Sequence, residues 1–174
     1  FTNVPAFATH LDTLVEVPGL GTVTLDVAYG GAFFAIVDAP SLGFEVKPHE
    51  ARDLVAAGQK IKAAAAEQLP VVHPENPEIR TITFTEFAMP FTGPGTTCRN
   101  AVIVSPGRID RSPCGTGTTA RLAVLHAKNR IAVGEGFTHA SIIGSTFEAG
   151  IVAETRVGAH RAVSVTVAGQ AWIT

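Results

Sequence analysis

The period of the apolar positions changes several times along the chain. "FTNVPAF" and "LVEVPGLGTVTLDVAYGGAFFAIVDA" alternate branched or aromatic residues with Gly and Pro, the pattern of several short strands joined by turns. Gly30-Gly31, between Tyr29 and Ala32, reads first as a turn pair; a bulge, a close backbone approach or a ligand contact are the alternatives. From Pro48 to Leu69 the period becomes helical, with Leu54, Ile61 and Ala65 on one face and Lys60, Lys62 and Glu67 towards solvent. Pro48 suits a first helical turn, Pro70 ends the helix, and "HPENPEI" is turn-rich. "RTITFTEFAM" predicts a strand, "PFTGPGTTCRN" a loop, and "AVIVS" a short buried strand. A second helix is predicted over Thr118 to Lys128, with Leu122, Ala123 and Leu125 apolar, Arg121 and Lys128 polar, and Asn129 as a stop. Strand-like runs separated by Gly then continue to "QAWIT". Two helices among many short strands indicate an α+β domain in which a sheet wraps or covers a helix.

Composition narrows the function. At 174 residues and 46% hydrophobic, the chain can bury a sizeable core as one domain or most of one. A net charge of -2 with 13 Lys plus Arg gives no basic footprint, which argues against nucleic acid or an anionic membrane surface and for a small-molecule ligand. No apolar run approaches the roughly 18 residues of a membrane helix, and no signal-peptide pattern opens the chain, so the expected compartment is the cytoplasm. The two cysteines, Cys98 and Cys114, make no disulfide framework and are expected to be free thiols. The histidines are scattered without ligand spacing, so no metal site is expected. The chain starts at Phe1 without Met and stops directly after a strand-like run, which is expected of a segment of a longer protein.

The densest stretch is "DRSPCGTGTTARLAVLHA", Asp110 to Ala127. It puts Cys114 and two glycines at or just before the second helix. Glycines there let the backbone turn several amides towards one point, an anion site able to hold a carboxylate. A thiol in that position feels the positive end of the helix dipole, which is expected to bring its pKa from about 8.5 to somewhere between about 3.5 and 7.5, so that it can take and return a proton near neutral pH. Asp110 can accept from a cationic amine, and Arg111 can buttress the loop. The plain alternative is a small buried cysteine ahead of an ordinary helix. Cys98, in the predicted loop with no helix start beside it, is the weaker candidate for chemistry.

"DRSPCGTGT" resembles the second catalytic motif of the proline racemase family, which includes hydroxyproline epimerases and trans-3-hydroxy-L-proline dehydratases. "NVPAF", "VPGLGTVTLDVAYGGAFFAIVDA", "HPENPEI", "RNAVIV", "SIIGSTF" and "GQAWIT" resemble the family's segments in the same order. The resemblance implies a diaminopimelate-epimerase-like domain, a curved, mostly antiparallel sheet around a central helix, and no cofactor. In the family, two domains close on the substrate and a residue from each faces one side of its Cα. Carried over by position, Cys114 is one of that pair, Asp110 contacts the ring nitrogen, and Gly115 and Thr116 offer amides to the carboxylate of proline or a hydroxyproline. The family's first motif, "MCGHG" or its Ser variant, is absent and Cys98 does not match it. Residues 1–174 are therefore expected to be the C-terminal domain, whose partner is an N-terminal domain outside the chain; a homodimer stays open. Cys114 argues against the dehydratases with Thr at this position, but those pairing Ser with this Cys resemble the chain. Thr83 aligns where hydroxyproline epimerases often carry a substrate-binding His, and Val104 where some racemases carry a pocket Phe. Three readings follow: a racemase or epimerase, a dehydratase, and a carboxylate-binding domain without turnover. The chain alone is expected to be inactive, because it serves one side of the carbon.

Overall fold

The Pro18-Gly19-Leu20 turn reverses the chain between β1 (Phe7–Val17) and β2 (Gly21–Tyr29) in the computed structural model, which describes residues 1–170. Gly19 and Gly21 there have φ of 81° and 79°, left-handed values that glycine adopts without steric cost. β3 (Phe33–Asp38) returns antiparallel to β2, and α1 (Ala51–Gln68) then crosses over to β4 (Ile82–Ala88), parallel to β3. β5 (Thr97–Val104) runs antiparallel to β4 and turns through Pro106-Gly107 into the short β6 (Arg108–Ile109). A second crossover, α2 (Gly115–Ala127), leads to β7 (Gly136–Ala140), parallel to β5, and β8 (Thr146–Val157) and β9 (His160–Gly169) complete the sheet as an antiparallel ladder.

Among the described residues nine strands form one mixed, mostly antiparallel sheet in the order β1-β2-β3-β4-β5-β7-β8-β9, with β6 on β5. Bridges Thr2 to Thr166 and Ala6 to Val163 bring the two edges together, so the sheet curves round α2. The expected α+β architecture with a central helix is what the structure has. The Gly30-Gly31 pair serves that closure: a Cβ on Gly30 would lie 2.3 Å from the Thr116 carbonyl oxygen and 2.5 Å from the Ala120 nitrogen, so the β2–β3 connection rests directly on the α2 backbone.

α1 lies outside the sheet, where Leu54, Ile61 and Ala65 pack with Val15, Val37, Ile82 and Ile103. α2 is buried on two sides. Leu122 and Leu125 meet Phe137, Ile151, Val163 and Val165, while Ala120 and Val124 meet Phe34, Ile36 and Val102. The amphipathic reading of this helix is corrected accordingly: Arg121 is half-buried, and Lys128 is tied to Asp12 and Asp26 at 2.7 and 2.8 Å. Asn129 has a φ of 56° and ends the helix as expected.

Two strand predictions change. The predicted loop ending in "TTCRN" is already β5 from Thr97, so Cys98 is a buried strand residue, paired with His139 and packed with Phe91, Leu122 and Phe137. Thr83 is the extra residue of a bulge in β4, where Phe33 pairs Ile82 and Phe34 pairs Phe84. Of the strand-like terminus "QAWIT", residues 171–174 lie outside the described residues. Among the described residues no helix is long and apolar enough to cross a membrane.

Candidate active site

The loop that delivers Cys114 is tied at each step. The Asp110 amide donates to the Val102 carbonyl at 2.9 Å, continuing the β5–β6 ladder, and Asp110 Oδ1 accepts from the Ser112 amide at 2.8 Å. Ser112 Oγ accepts from the Cys114 amide at 3.0 Å. The Arg111 side chain is exposed; it is its carbonyl that fastens the loop, accepting from Ser145 Oγ at 3.0 Å. The Pro113 carbonyl accepts from Asn100 Nδ2 at 2.9 Å and from Thr118 Oγ1 at 3.2 Å.

Cys114 is the N-cap of α2, with φ 62° and ψ 108°. Its carbonyl accepts the Thr118 amide at 2.8 Å, and its Sγ accepts the Gly117 amide at 3.4 Å with Thr116 Oγ1 at 3.5 Å. Gly115 and Thr116 open the first turn, where amides have no partner within the helix. The "CGTG" motif thus lies at the helix start as expected, with Cys114 as the cap and Gly115 to Gly117 in the first turn, three residues ahead of the Thr118 start predicted for the helix. The half-buried sulfur borders the apolar cluster of Phe34, Ile36 and Val102, alongside Phe84 and Val104. Phe84, one residue from the aligned Thr83, is a β4 side chain on this side; the Thr83 hydroxyl turns back to the Thr81 carbonyl at 3.4 Å.

The expected thiolate is corrected by the burial of the sulfur. Burial pushes the Cys114 thiol up to about 11, against the pull of the Thr116 hydroxyl and the Gly117 amide, and the charges of Glu86 and Asp110 add to the rise. Dehydration outweighs the helix start in the free chain, so the thiol is protonated at neutral pH. Cys98 is more extreme, raised to about 12 chiefly by burial, and acts as a core hydrophobe.

Beneath this turn lies a polar cluster that the sequence did not reveal. Glu86, Asn100, Thr118 and His139 are all 0% exposed. Asn100 Nδ2 donates to Glu86 Oε1 at 2.9 Å, Thr118 Oγ1 and His139 Nδ1 share a hydrogen bond at 2.8 Å, and His139 Nε2 stands 3.8 Å from Glu86 Oε1. Burial raises the Glu86 carboxyl to about 7 and, with the Arg121 charge, lowers His139 to about 3. Between about pH 3 and pH 7 the two face each other as neutral groups, not as an ion pair.

A cysteine capping the central helix of a sheet-wrapped α+β domain, at a first turn whose opening amides have no partner within the helix, defines a class of domain whose helix start can hold an anion beside a thiol. The proline racemase family model matches residues 1–174, and the chain belongs to that family. It is 42% identical over 174 residues to a proline racemase of Clostridioides difficile, covering 100% of this chain and 52% of that protein. Two solved structures superpose with TM-scores of 0.91 over 97% of this chain and 49% of theirs. One is a probable proline racemase from Agrobacterium radiobacter K84 with bound carbonate, 41% identical; the other is a hydroxyproline epimerase from Agrobacterium vitis with bound trans-4-OH-L-proline, 40% identical. The chain spans about half the length of these relatives.

Proposed function

We propose that this chain is the C-terminal half of a cofactor-independent proline racemase or hydroxyproline epimerase, presenting Cys114 to one face of the substrate Cα. The observation that carries the reading is the Cys114 sulfur at the first turn of α2, 3.4 Å from the Gly117 amide and beside the amides of Gly115 and Thr116, which have no partner within the helix. The substrate carboxylate docks on those two amides, and the Asp110 oxygen not used by the Ser112 amide takes the ring ammonium. A base on the N-terminal domain removes the Cα proton, the electron pair delocalises into the carboxylate held by the amides, and the Cys114 S–H gives its proton to the opposite face, leaving a thiolate. The reverse turnover runs from that thiolate. The protonated thiol of the free chain is the donor form, and a ring ammonium that neutralises Asp110 removes one of the charges opposing ionisation. Free thiols suit a reducing cytoplasm.

Turnover of L-proline, trans-4-hydroxy-L-proline and trans-3-hydroxy-L-proline by the intact two-domain protein in deuterium oxide tests this. Inversion with deuterium at Cα is the expected result. Loss of water from the 3-hydroxy substrate to a cyclic imine assigns the protein to the dehydratases, and binding without exchange makes it a carboxylate-binding domain. The chain by itself is expected to give no steady turnover, since it serves one face of the carbon.

A further inference from the structure

Glu86 has no part in the mechanism above, yet its carboxyl lies against the first turn of α2 that carries the site. A Cβ placed on Gly117 would lie 3.3 Å from Glu86 Oε2 and 3.3 Å from Cys114 Sγ, so both atoms press on one point of the first turn of α2. Among the described residues Glu86 Oε2 and His139 Nε2 are buried without hydrogen-bond partners, which leaves the carboxyl half-satisfied, on Asn100. Such a group is costly unless it carries a proton. The titratable and charged groups facing it are Cys98 from β5, His139 from β7, and Arg121 and Cys114 from α2; across the β3–β4 ladder its partner is Ile36, and the α1 side of β4 belongs to Thr85, whose hydroxyl donates to the Gly58 carbonyl.

We propose that Glu86 is a positioning residue for Cys114: packed under Gly117 beside the sulfur, its charge state sets how readily the thiol gives up its proton. With Glu86 protonated, the thiol meets no carboxylate charge from below. Once Glu86 ionises, its negative charge opposes a second one on the sulfur. The importance of this coupling for turnover rests on the proposed role of Cys114, but the coupling itself is read from thiol reactivity, so it can fail or hold independently of that role.

The experiment is the pH dependence of Cys114 alkylation by iodoacetamide in the intact protein and in Glu86→Gln, followed on the Cys114 peptide by mass spectrometry. Gln keeps the side-chain volume and the carbonyl that Asn100 donates to. Removing the charge is expected to lower the thiol midpoint by about one pH unit, a rise of about tenfold in rate at fixed pH between 8 and 10. The two profiles converge below pH 6, where Glu86 carries its proton in the unaltered protein. A merely structural role shifts both limbs alike, and either that result or superimposed profiles overturns the proposal. A second measurement needs no variant: the Glu86 carboxyl is titrated by carbon-13 NMR after Cys114 is carboxymethylated or carbamidomethylated, two adducts of similar bulk differing by one negative charge. A higher Glu86 midpoint with the charged adduct supports the coupling, and equal midpoints refute it.

Discussion

The Gly117 amide donates to the sulfur of Cys114 at 3.4 Å, so the candidate proton donor also caps the helix that aims it. The cap is held at φ 62° and ψ 108°, backbone that an L-residue rarely adopts. Such strain costs on the order of 1–3 kcal/mol and persists where the surroundings over-determine it. Here the ties on Ser112 and Pro113 do so.

Stability and chemistry are therefore opposed at position 114. Cys114→Ala keeps the strain and loses the sulfur acceptor, whereas Cys114→Gly relieves the strain. Thermal melting is expected to put the Gly variant above the Ala variant by about 1 kcal/mol. Both are expected to lose about 10²–10⁴-fold in Cα proton exchange in the intact protein, the usual contribution of a positioned acid or base. A Gly variant melting below the Ala variant would show that Cys114 is unstrained.

Gly30 is the position where the sheet rests on the α2 backbone. Gly30→Ala inserts a methyl 2.3 Å from the Thr116 carbonyl oxygen, and backbone, unlike a flexible side chain, cannot swing aside. The expected cost is about 3 kcal/mol, the upper part of the range for overpacking. Because the clash falls on the first turn of α2, the rate of Cys114 alkylation is expected to change as well. Chemical denaturation and peptide-resolved alkylation check the two effects, and an Ala variant as stable as the parent contradicts the packing described.

How much of this was legible in the sequence depended on which face of a strand met water. Pro113-Cys114-Gly115 marked the helix start because capping and glycine chemistry are local, and Leu54, Ile61 and Ala65 marked α1 because one side of that helix is wet. Alternation in "TFTEFAM" gave no warning that Glu86 is buried, since α1 covers one face of β4 and α2 the other. His139 in β7 was hidden for the same reason, as it faces inward to Thr118. Cys98 falls in a predicted loop because Thr, Gly and Pro before it have a loop's composition, while its strand identity comes from non-local pairing to β7. The thiol departs from the expected thiolate because a helix start is visible in sequence and dehydration is not.

Glu86 and His139 pull the pH dependence of stability in opposite directions. Glu86, raised from 4.5 to about 7, binds its proton more tightly when folded; its contribution is full below pH 4.5 and is lost as pH rises to about 7. His139, lowered from 6.5 to about 3, gives up its proton on folding, and its contribution is present above pH 6.5 and is lost as pH falls towards 3. Between pH 4.5 and 6.5 the two slopes oppose each other. Glu86→Gln removes one of them, so its stability relative to the parent is expected to improve by about 1.4 kcal/mol per pH unit across that window and to level off above about pH 7. Urea denaturation at a series of pH values reads this directly, and a difference independent of pH places Glu86 in the ordinary carboxylate range.

Asn100 joins the cluster to the loop, its Nδ2 donating to Glu86 Oε1 and to the Pro113 carbonyl, both at 2.9 Å. Asn100→Leu takes the hydrogen bond from Glu86 but leaves the Pro113 carbonyl with the Thr118 hydroxyl, and it also removes the buried, unpaired Asn100 Oδ1. The expected cost is about 1–3 kcal/mol, that of one orphaned acceptor. Asn100→Asp is the harsher change although it is closer in shape, because its carboxyl faces the Glu86 carboxyl and the Pro113 carbonyl with no donor unless it carries a proton. Two carboxyls at one buried site cannot both ionise cheaply. The Asp variant is therefore expected to lose stability relative to the Leu variant as pH rises from 5 to 8, while the Leu variant, whose Glu86 lacks the hydrogen bond that holds its carboxyl down, is expected to fall further below the parent as pH rises through 7. Denaturation curves for the parent and the two variants at these pH values make the test: a donor that satisfies Glu86 predicts a Leu offset that grows through pH 7, and a residue that only fills space predicts a Leu offset independent of pH.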